Sequence, residues 1–367
     1  MSLKKKFLSA VTAVTLCVSL TFGAPVVHAA STAGVIGSIA GTLIEGAALR
    51  KQVKQIIKQF NETPEGQEAL YQNFREKQGV DTTPEYNERL DIIMANLTRG
   101  VAVVDPSIKD KPYRYFVAAD DTLNAACAMG HVMMVNRGTF KALPNEDEIA
   151  AIVGHEMGHG QLNHGAKSLE KQVNQKITSG LVCAAIGGGA ITSLVANVAL
   201  NNMDAHKDKK FETQADLISI DYLVNTPYNI GATAAAMQRF TELSIGKERS
   251  RLTAIFKPSD HPDSEKRRDA CAKKLFEYSG KHAEVKNGVV LVNKKNFMTP
   301  VASSTMSGAE RSYFVLGNLA RAFHDGQNKK EARVENGTVM LGSQAIVTPL
   351  EGDEDAQVLA DRLNSLK

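Results

Sequence analysis

The chain predicts an α+β protein, mainly helical, with one small sheet and a C-terminal tandem ββα repeat. Three observations carry that expectation. Apolar residues recur at helical spacing over long segments, two short β-rich runs lie close together ahead of a strongly capped helix, and the C-terminal part matches itself at an offset of 49 residues.

Residues 1–29 read as a secretory signal peptide. Lys4, Lys5 and Lys6 precede an uncharged apolar run from Phe7 to Phe22, and Val27-His28-Ala29 supplies a small-residue cleavage site. Leu16 stands before Cys17 where a lipoprotein site needs a small residue, which favours ordinary cleavage; an uncleaved membrane anchor is the alternative. Residues 30–280 form the main domain. Within it, 36–60 and 84–100 carry helical periodicity, as in Ile92, Ile93 and Leu97 beside Glu88, Arg89 and Asn96. Tyr113 to Ala119 and His131 to Val135 are short and β-rich, separated by the polar segment Asp120 to Asn124, and predict the small sheet. Asn145, Glu148 and the acids between them mark a capped helix starting near Glu146.

Between Lys176 and Asp204 lie 27 uncharged residues, longer than a membrane span requires. Gly187-Gly188-Gly189 divides them into halves too short to cross alone, which leaves a buried helical hairpin or one that dips into a membrane surface. Residues 281–367 form the accessory part, split as 281–328 and 329–367. Ala283, Val285, Asn287, Gly288, Val290, Thr299 and Pro300 recur as Ala332, Val334, Asn336, Gly337, Val339, Thr348 and Pro349. Each copy sets an Asn-Gly hairpin turn between apolar segments and follows it with a helical stretch, Tyr313 to Phe323 or Ala356 to Leu366. No catalytic cluster lies in it.

The 367 residues are 43% apolar, enough for a sizeable core. Of the 43 basic residues three belong to the leader, so the remainder balances the 40 acids. With no basic stripe and no tryptophan, nucleic acid is excluded as a partner. Cys127, Cys183 and Cys271 remain after the leader, which allows one disulfide and one free thiol.

The chemistry is concentrated at His155-Glu156-Met157-Gly158-His159. On a helix, histidines at i and i+4 lie one turn apart and can share one zinc ion, while the glutamate between them can deprotonate a water. Catalytic zinc sites generally take a third protein ligand. The metzincin pattern would need His at 165 and Gly at 162, and the chain has Gly165 and Leu162. Glu212, on a second helical pattern with Asp216 one turn on, is the better candidate, and Asp216 can then orient a ligating histidine. His131, His206, His282 and His324 show no ligand spacing.

These residues, with Asn163-His164 after the signature, Ala215-Asp216 after Glu212 and then His261-Pro262 and Arg267, resemble the zinc metallopeptidase family that includes HtpX and the CAAX prenyl proteases. The soluble exported BepA-like branch of these gluzincins is the best fit, over about residues 85–275. Asn124-Ala125, Gly130 and Val135-Asn136-x-Gly138 add to the resemblance. It implies a zincin-like fold, one Zn2+ per chain on His155, His159 and Glu212, and Glu156 as general base. His261 and Arg267 would stabilise the oxyanion, and His164 would be a structural partner beside the site. Asn124, Ala125 and Gly130 would bind substrate, and Val135-Asn136 would form an edge strand that pairs with an extended peptide. Departures from the family pattern occur at Ala128-Met129-Gly130 and near Pro227-Tyr228-Asn229, and both concern the substrate groove. The implied function is an exported endopeptidase of the periplasm, a membrane surface or the extracellular space, acting on unfolded or misassembled envelope proteins. A zinc-retaining chaperone or binding protein and a membrane-associated protease are the alternatives.

Overall fold

A computed structural model describes residues 47, 48, 50, 51, 53–143, 145–178, 208–245 and 263–367. The expected leader, the uncharged stretch beyond residue 178, Cys183 and His261 lie outside them. The chain falls into two compact units. The first takes the described residues up to Asn73, Ala128–Gly130 and those from Asn163 to 178. In it a helical run through 53–62 and α1 (Pro64–Gln78) meet the chain around Asn163: Asn61 donates to the Asn163 side chain at 2.8 Å and accepts from the Gly130 amide at 3.0 Å.

The second unit begins at Phe74, inside α1, and its first complete helix is α2 (Pro84–Val104), whose proline occupies the first turn, where a missing N–H costs nothing. A three-stranded sheet follows, made of β1 (Arg114–Ala118), β2 (Ala125–Ala128) and β3 (Val132–Asn136). The strand order is β1-β3-β2, with β1 and β3 parallel from Arg114↔Val132 to Ala118↔Asn136. This corrects the expectation for Val135-Asn136. β3 is hydrogen-bonded on both sides and cannot receive another strand, whereas β2, hidden in the sequence as a run of small residues, lies at the edge.

After α3 (Arg137–Ala142) comes α4 (Glu146–Gln161), capped by the Asn145 side chain, which accepts from the Asp147 amide at 2.8 Å. The capping-box partner behaves differently from the sequence signal. Glu148 is fully buried and pairs with Arg239 at 2.9 Å instead of reaching back to the cap. α4 is buried from Ile149 to Gly160 with Ile152 half-exposed, so a helix bearing two histidines and a glutamate runs through the core. α5 (His164–Thr178) belongs to the first unit. α6 (Lys209–Val224) lies tightly against α4, because a Cβ on Gly158 would come within 2.9 Å of the Ile218 Cγ2 and 3.1 Å of the Ala215 Cα. α7 (Ala232–Ile245) and α8 (Ser264–Tyr278) complete the helical shell.

The C-terminal region is built from β4 (Ala283–Lys286), β5 (Val289–Val292), β6 (Lys295–Met298) and α9 (Gly308–His324), then β7 (Ala332–Glu335), β8 (Thr338–Leu341), β9 (Gln344–Val347) and α10 (Ala356–Leu366). Each half therefore has three antiparallel strands before its helix, where ββα was expected. Asn287-Gly288 and Asn336-Gly337 make the anticipated turns with all four φ positive. The third strand escaped notice because its turn in the first half is Asn293-Lys294, a pair held at φ 51 and 67 with no glycine to mark it. The apolar core runs unbroken from α4 through Cys271 and Leu275 of α8 into Ala283 and Val290 of the first C-terminal sheet.

Candidate active site

The buried middle of α4 presents both imidazoles of the signature toward α6. His155 Nε2 and His159 Nε2 lie 3.1 Å apart. Glu212, on the first turn of α6, sets Oε1 3.2 Å from His159 Nε2 and Oε2 3.7 Å from His155 Nε2. All three donors fall within 4.8 Å of one another, and no other such metal-holding group occurs among the described residues. Zinc with ligand bonds of about 2.0–2.1 Å in a tetrahedron needs donors roughly 3.3 Å apart, so the spacing and the N/N/O donor set fit that ion.

Asp216, one turn beyond Glu212, places Oδ1 2.8 Å from His155 Nδ1. A proton on Nδ1, facing that carboxylate, would leave the Nε2 lone pair turned toward the cluster. Burial alone would raise the Asp216 carboxyl, but the Arg267 guanidinium and then the His155 ring outweigh it and hold it at about 2. Arg267 reaches Asp216 through Nε at 2.6 Å and Nη2 at 2.8 Å, and Glu212 Oε2 through Nη1 at 2.9 Å.

Glu156 projects toward β2 and accepts the Cys127 backbone amide at Oε2 over 2.9 Å. Because Asn124 offers its carbonyl to Asn136 of β3, alternation along the strand turns the backbone of Ala125 and Cys127 to the open edge, facing α4. A cleft at this edge is lined by Asn124, Ala125, Ile152, His155, Glu156 and Met237 among others.

Of the residues singled out in the sequence, the structure brings together His155, Glu156, His159, Glu212, Asp216 and Arg267, with Asn124 and Ala125 along the cleft. Gly130 donates its amide to Asn61 and accepts from Gln67 at 2.5 Å, so both its backbone groups are engaged within the first unit. His164 is buried at the start of α5 and is not one of the three converging donors. His261 lies outside the described residues. Sequence reasoning missed the Cys127 amide, since a backbone donor leaves no side-chain signal, and the Met237 wall of the cleft, which reads as ordinary helical apolar spacing.

A mainly helical α+β frame thus carries a His-His-Glu cluster on two adjoining buried helices that could hold a metal ion, with a glutamate beside it. Residues 86–274 match the model of peptidase family M48, and the chain belongs to that family. It is 27% identical over 165 residues to the metalloprotease LoiP of Escherichia coli, covering 44% of this chain and 62% of that one. Identity is also 27% over 129 residues to a putative beta-barrel assembly-enhancing protease of Vibrio cholerae, covering 35% of this chain and 25% of the relative. With the mitochondrial metalloendopeptidase OMA1 of Schizosaccharomyces pombe it is 26% over 200 residues, 54% of this chain and 56% of that protein. The chain thus spans between a quarter and three fifths of the length of these relatives. The family match is in keeping with the HtpX-like and BepA-like resemblance of its motifs.

Proposed function

We propose that the protein is an exported zinc-dependent endopeptidase that cleaves extended segments of unfolded or misassembled envelope proteins. The observation that carries this reading is the convergence of His155, His159 and Glu212 beside a glutamate fastened to an edge strand. When bound, zinc supplies Lewis acidity toward a water and the scissile carbonyl. The chain's own residues do the rest. His155 and His159 face the ion with Nε2, His155 being kept in that tautomer by Asp216. Glu156, steadied at Oε2 by the Cys127 amide, takes a proton from the attacking water and returns it to the leaving nitrogen. The Ala125 backbone, on the open edge of β2, pairs with the substrate main chain, which selects for extended polypeptide over any one sequence. Asn124 lines the same cleft, and Gly130 is kept in this reading as a substrate-binding residue on the motif resemblance alone. His261 is retained in this reading as the oxyanion donor.

Export rests on the charged and apolar leader at residues 1–29 together with a relative named for beta-barrel assembly, and the periplasm is the compartment it favours. Among the described residues no helix is long and apolar enough to cross a membrane. The two three-stranded sheets with their helices are read as tandem copies of one accessory unit. Replacing Glu156 by Gln tests the chemistry: casein cleavage should fall by at least about 100-fold, the contribution of a positioned general base. Zinc should stay near one per chain by elemental analysis. Undiminished cleavage, or cleavage that survives a chelator in the natural protein, would remove the reading.

A further inference from the structure

Glu156, Glu212 and Asp216 are carboxylates almost without solvent contact, grouped around two imidazoles. Such a group repels itself unless a cation enters it, since each buried charge carries a desolvation cost that only good pairing offsets. Arg267 on α8 is that cation, and it is itself 2% exposed. Its planar fork takes both oxygens of Asp216 and extends its remaining nitrogen, Nη1, to Glu212 Oε2. Glu212 Oε1 is then the oxygen turned to His159, at 3.2 Å. This is a different post from the oxyanion role that the motif resemblance implied, because the guanidinium faces the ligand helix α6 and already meets two carboxylates.

We propose that Arg267 is a positioning residue that pre-forms the metal site: it compensates Asp216 and fixes Glu212 as a one-oxygen ligand before any metal arrives. The inference rests on His155, His159 and Glu212 being the ligands. Lysine cannot reproduce it, for an ammonium is a point charge and cannot grip both oxygens of Asp216 with a fork while a third nitrogen stays beside Glu212. Asp216 and Glu212 are thereby tied to each other, and through Asp216 the guanidinium also steadies His155.

The test compares natural protein, Arg267→Lys, Arg267→Gln and the double variant Asp216→Asn/Arg267→Gln. Zinc affinity is read by competition with a fluorescent chelator, and melting is followed with and without zinc. Arg267→Lys should keep the metal-free melting temperature near that of the natural protein yet bind zinc about 10- to 100-fold more weakly, the usual penalty for losing a group that orients a ligand. Arg267→Gln should melt lower when metal-free and regain more on zinc addition than the natural protein does, because the ion replaces the missing charge. The double variant should recover metal-free stability without recovering affinity. Unchanged zinc affinity in Arg267→Lys, or a stability loss in Arg267→Gln that zinc does not offset, would overturn the proposal. Failure of the natural protein itself to take up one zinc would instead overturn the ligand assignment.

Discussion

The backbone amide of Cys127 donates to Glu156 Oε2 at 2.9 Å, so the edge strand and the candidate general base share one hydrogen bond. The same strand lies against α4 one turn further on, where Gly160 leaves room for the Cys127 sulfur and for the Tyr113 hydroxyl. Tyr113 in turn donates to the Met157 carbonyl at 2.8 Å and stacks on His131, with ring centroids 4.4 Å apart. The sheet and α4 are therefore registered by contacts that do not touch the candidate metal-holding side chains.

Gly160→Ala tests that registration. The added Cβ would stand 2.3 Å from the Tyr113 Oη and 3.0 Å from the Cys127 Sγ, too close for either. Overpacking of this kind costs about 1–3 kcal/mol. Urea unfolding should report that loss, and casein turnover per zinc-loaded molecule should fall because Glu156 loses its fixed donor. Full turnover with unchanged stability would show that strand and helix are not held this way.

Cys127 and Cys271 are buried and form no disulfide with each other. Burial pushes the Cys127 and Cys271 thiols well up, and the nearby Glu156 charge adds to the effect at Cys127 and that of Asp216 at Cys271. The reactive species is the thiolate, so neither should be alkylated in the folded protein at pH 8. Iodoacetamide treatment followed by peptide mass mapping should find both unmodified until denaturant is added. Rapid native labelling of Cys127 would mean that β2 opens readily.

Much of this arrangement was legible in the chain because its signals are local. The i, i+4 histidines, Asn145 with the acids after it, and the two Asn-Gly turns each depend on residues within a few positions, and each appears where the spacing put it. What escaped is what only packing decides. The resemblance put the edge strand at Val135-Asn136, and Ala-Ala-Cys-Ala carries no strand signal of its own, yet pairing order is set by tertiary contacts. Glu148 carries a capping-box signature and is drawn away by Arg239, 91 positions along the chain, since a buried charge pair outweighs one exposed capping bond. Arg267 follows the same logic: its partners are fifty-odd residues away and nothing in its own neighbourhood names them.

The C-terminal part also reaches the ligand helix. Arg321 of α9 donates to the carbonyls of Leu223 at 3.2 Å, Thr226 at 3.3 Å and Tyr228 at 3.0 Å, closing off the end of α6. A cation at a helix C-terminus also suits the helix dipole. Arg321→Ala should take this donor from the Thr226 and Tyr228 carbonyls, while Leu223 keeps the amide and hydroxyl of Thr226, and lower stability by about 1–3 kcal/mol. Calorimetry on the zinc-loaded and metal-free forms should show the loss in both, since Arg321 acts on the helix and not on the ion. A melting temperature equal to that of the natural protein would mean that α6 ends independently of α9.

Glu148 and Glu310 meet across Arg239, which pairs with Glu148 at 2.9 Å and with Glu310 at 2.6 Å while also donating to the Thr305 carbonyl. One guanidinium cannot neutralise two buried carboxylates. Burial, and then the Glu148 charge, push Glu310 up from 4.5 to about 9, so the pair holds an extra proton at neutral pH. The sign follows from proton counting. Between about 4.5 and about 9 the unfolded chain has released the proton that the folded protein keeps, so this group's contribution to stability is full below the lower value and is lost as pH rises through the upper one. Glu310→Gln keeps the size and a hydrogen-bond donor toward Glu148 and removes the titration. Relative to the natural protein it should gain little at pH 5 and more with each step upward, by at least about 1 kcal/mol at pH 8, in urea melts across that range. An offset between the two proteins that does not change with pH would mean that Glu310 is ionised in the fold and that Arg239 balances both carboxylates by itself.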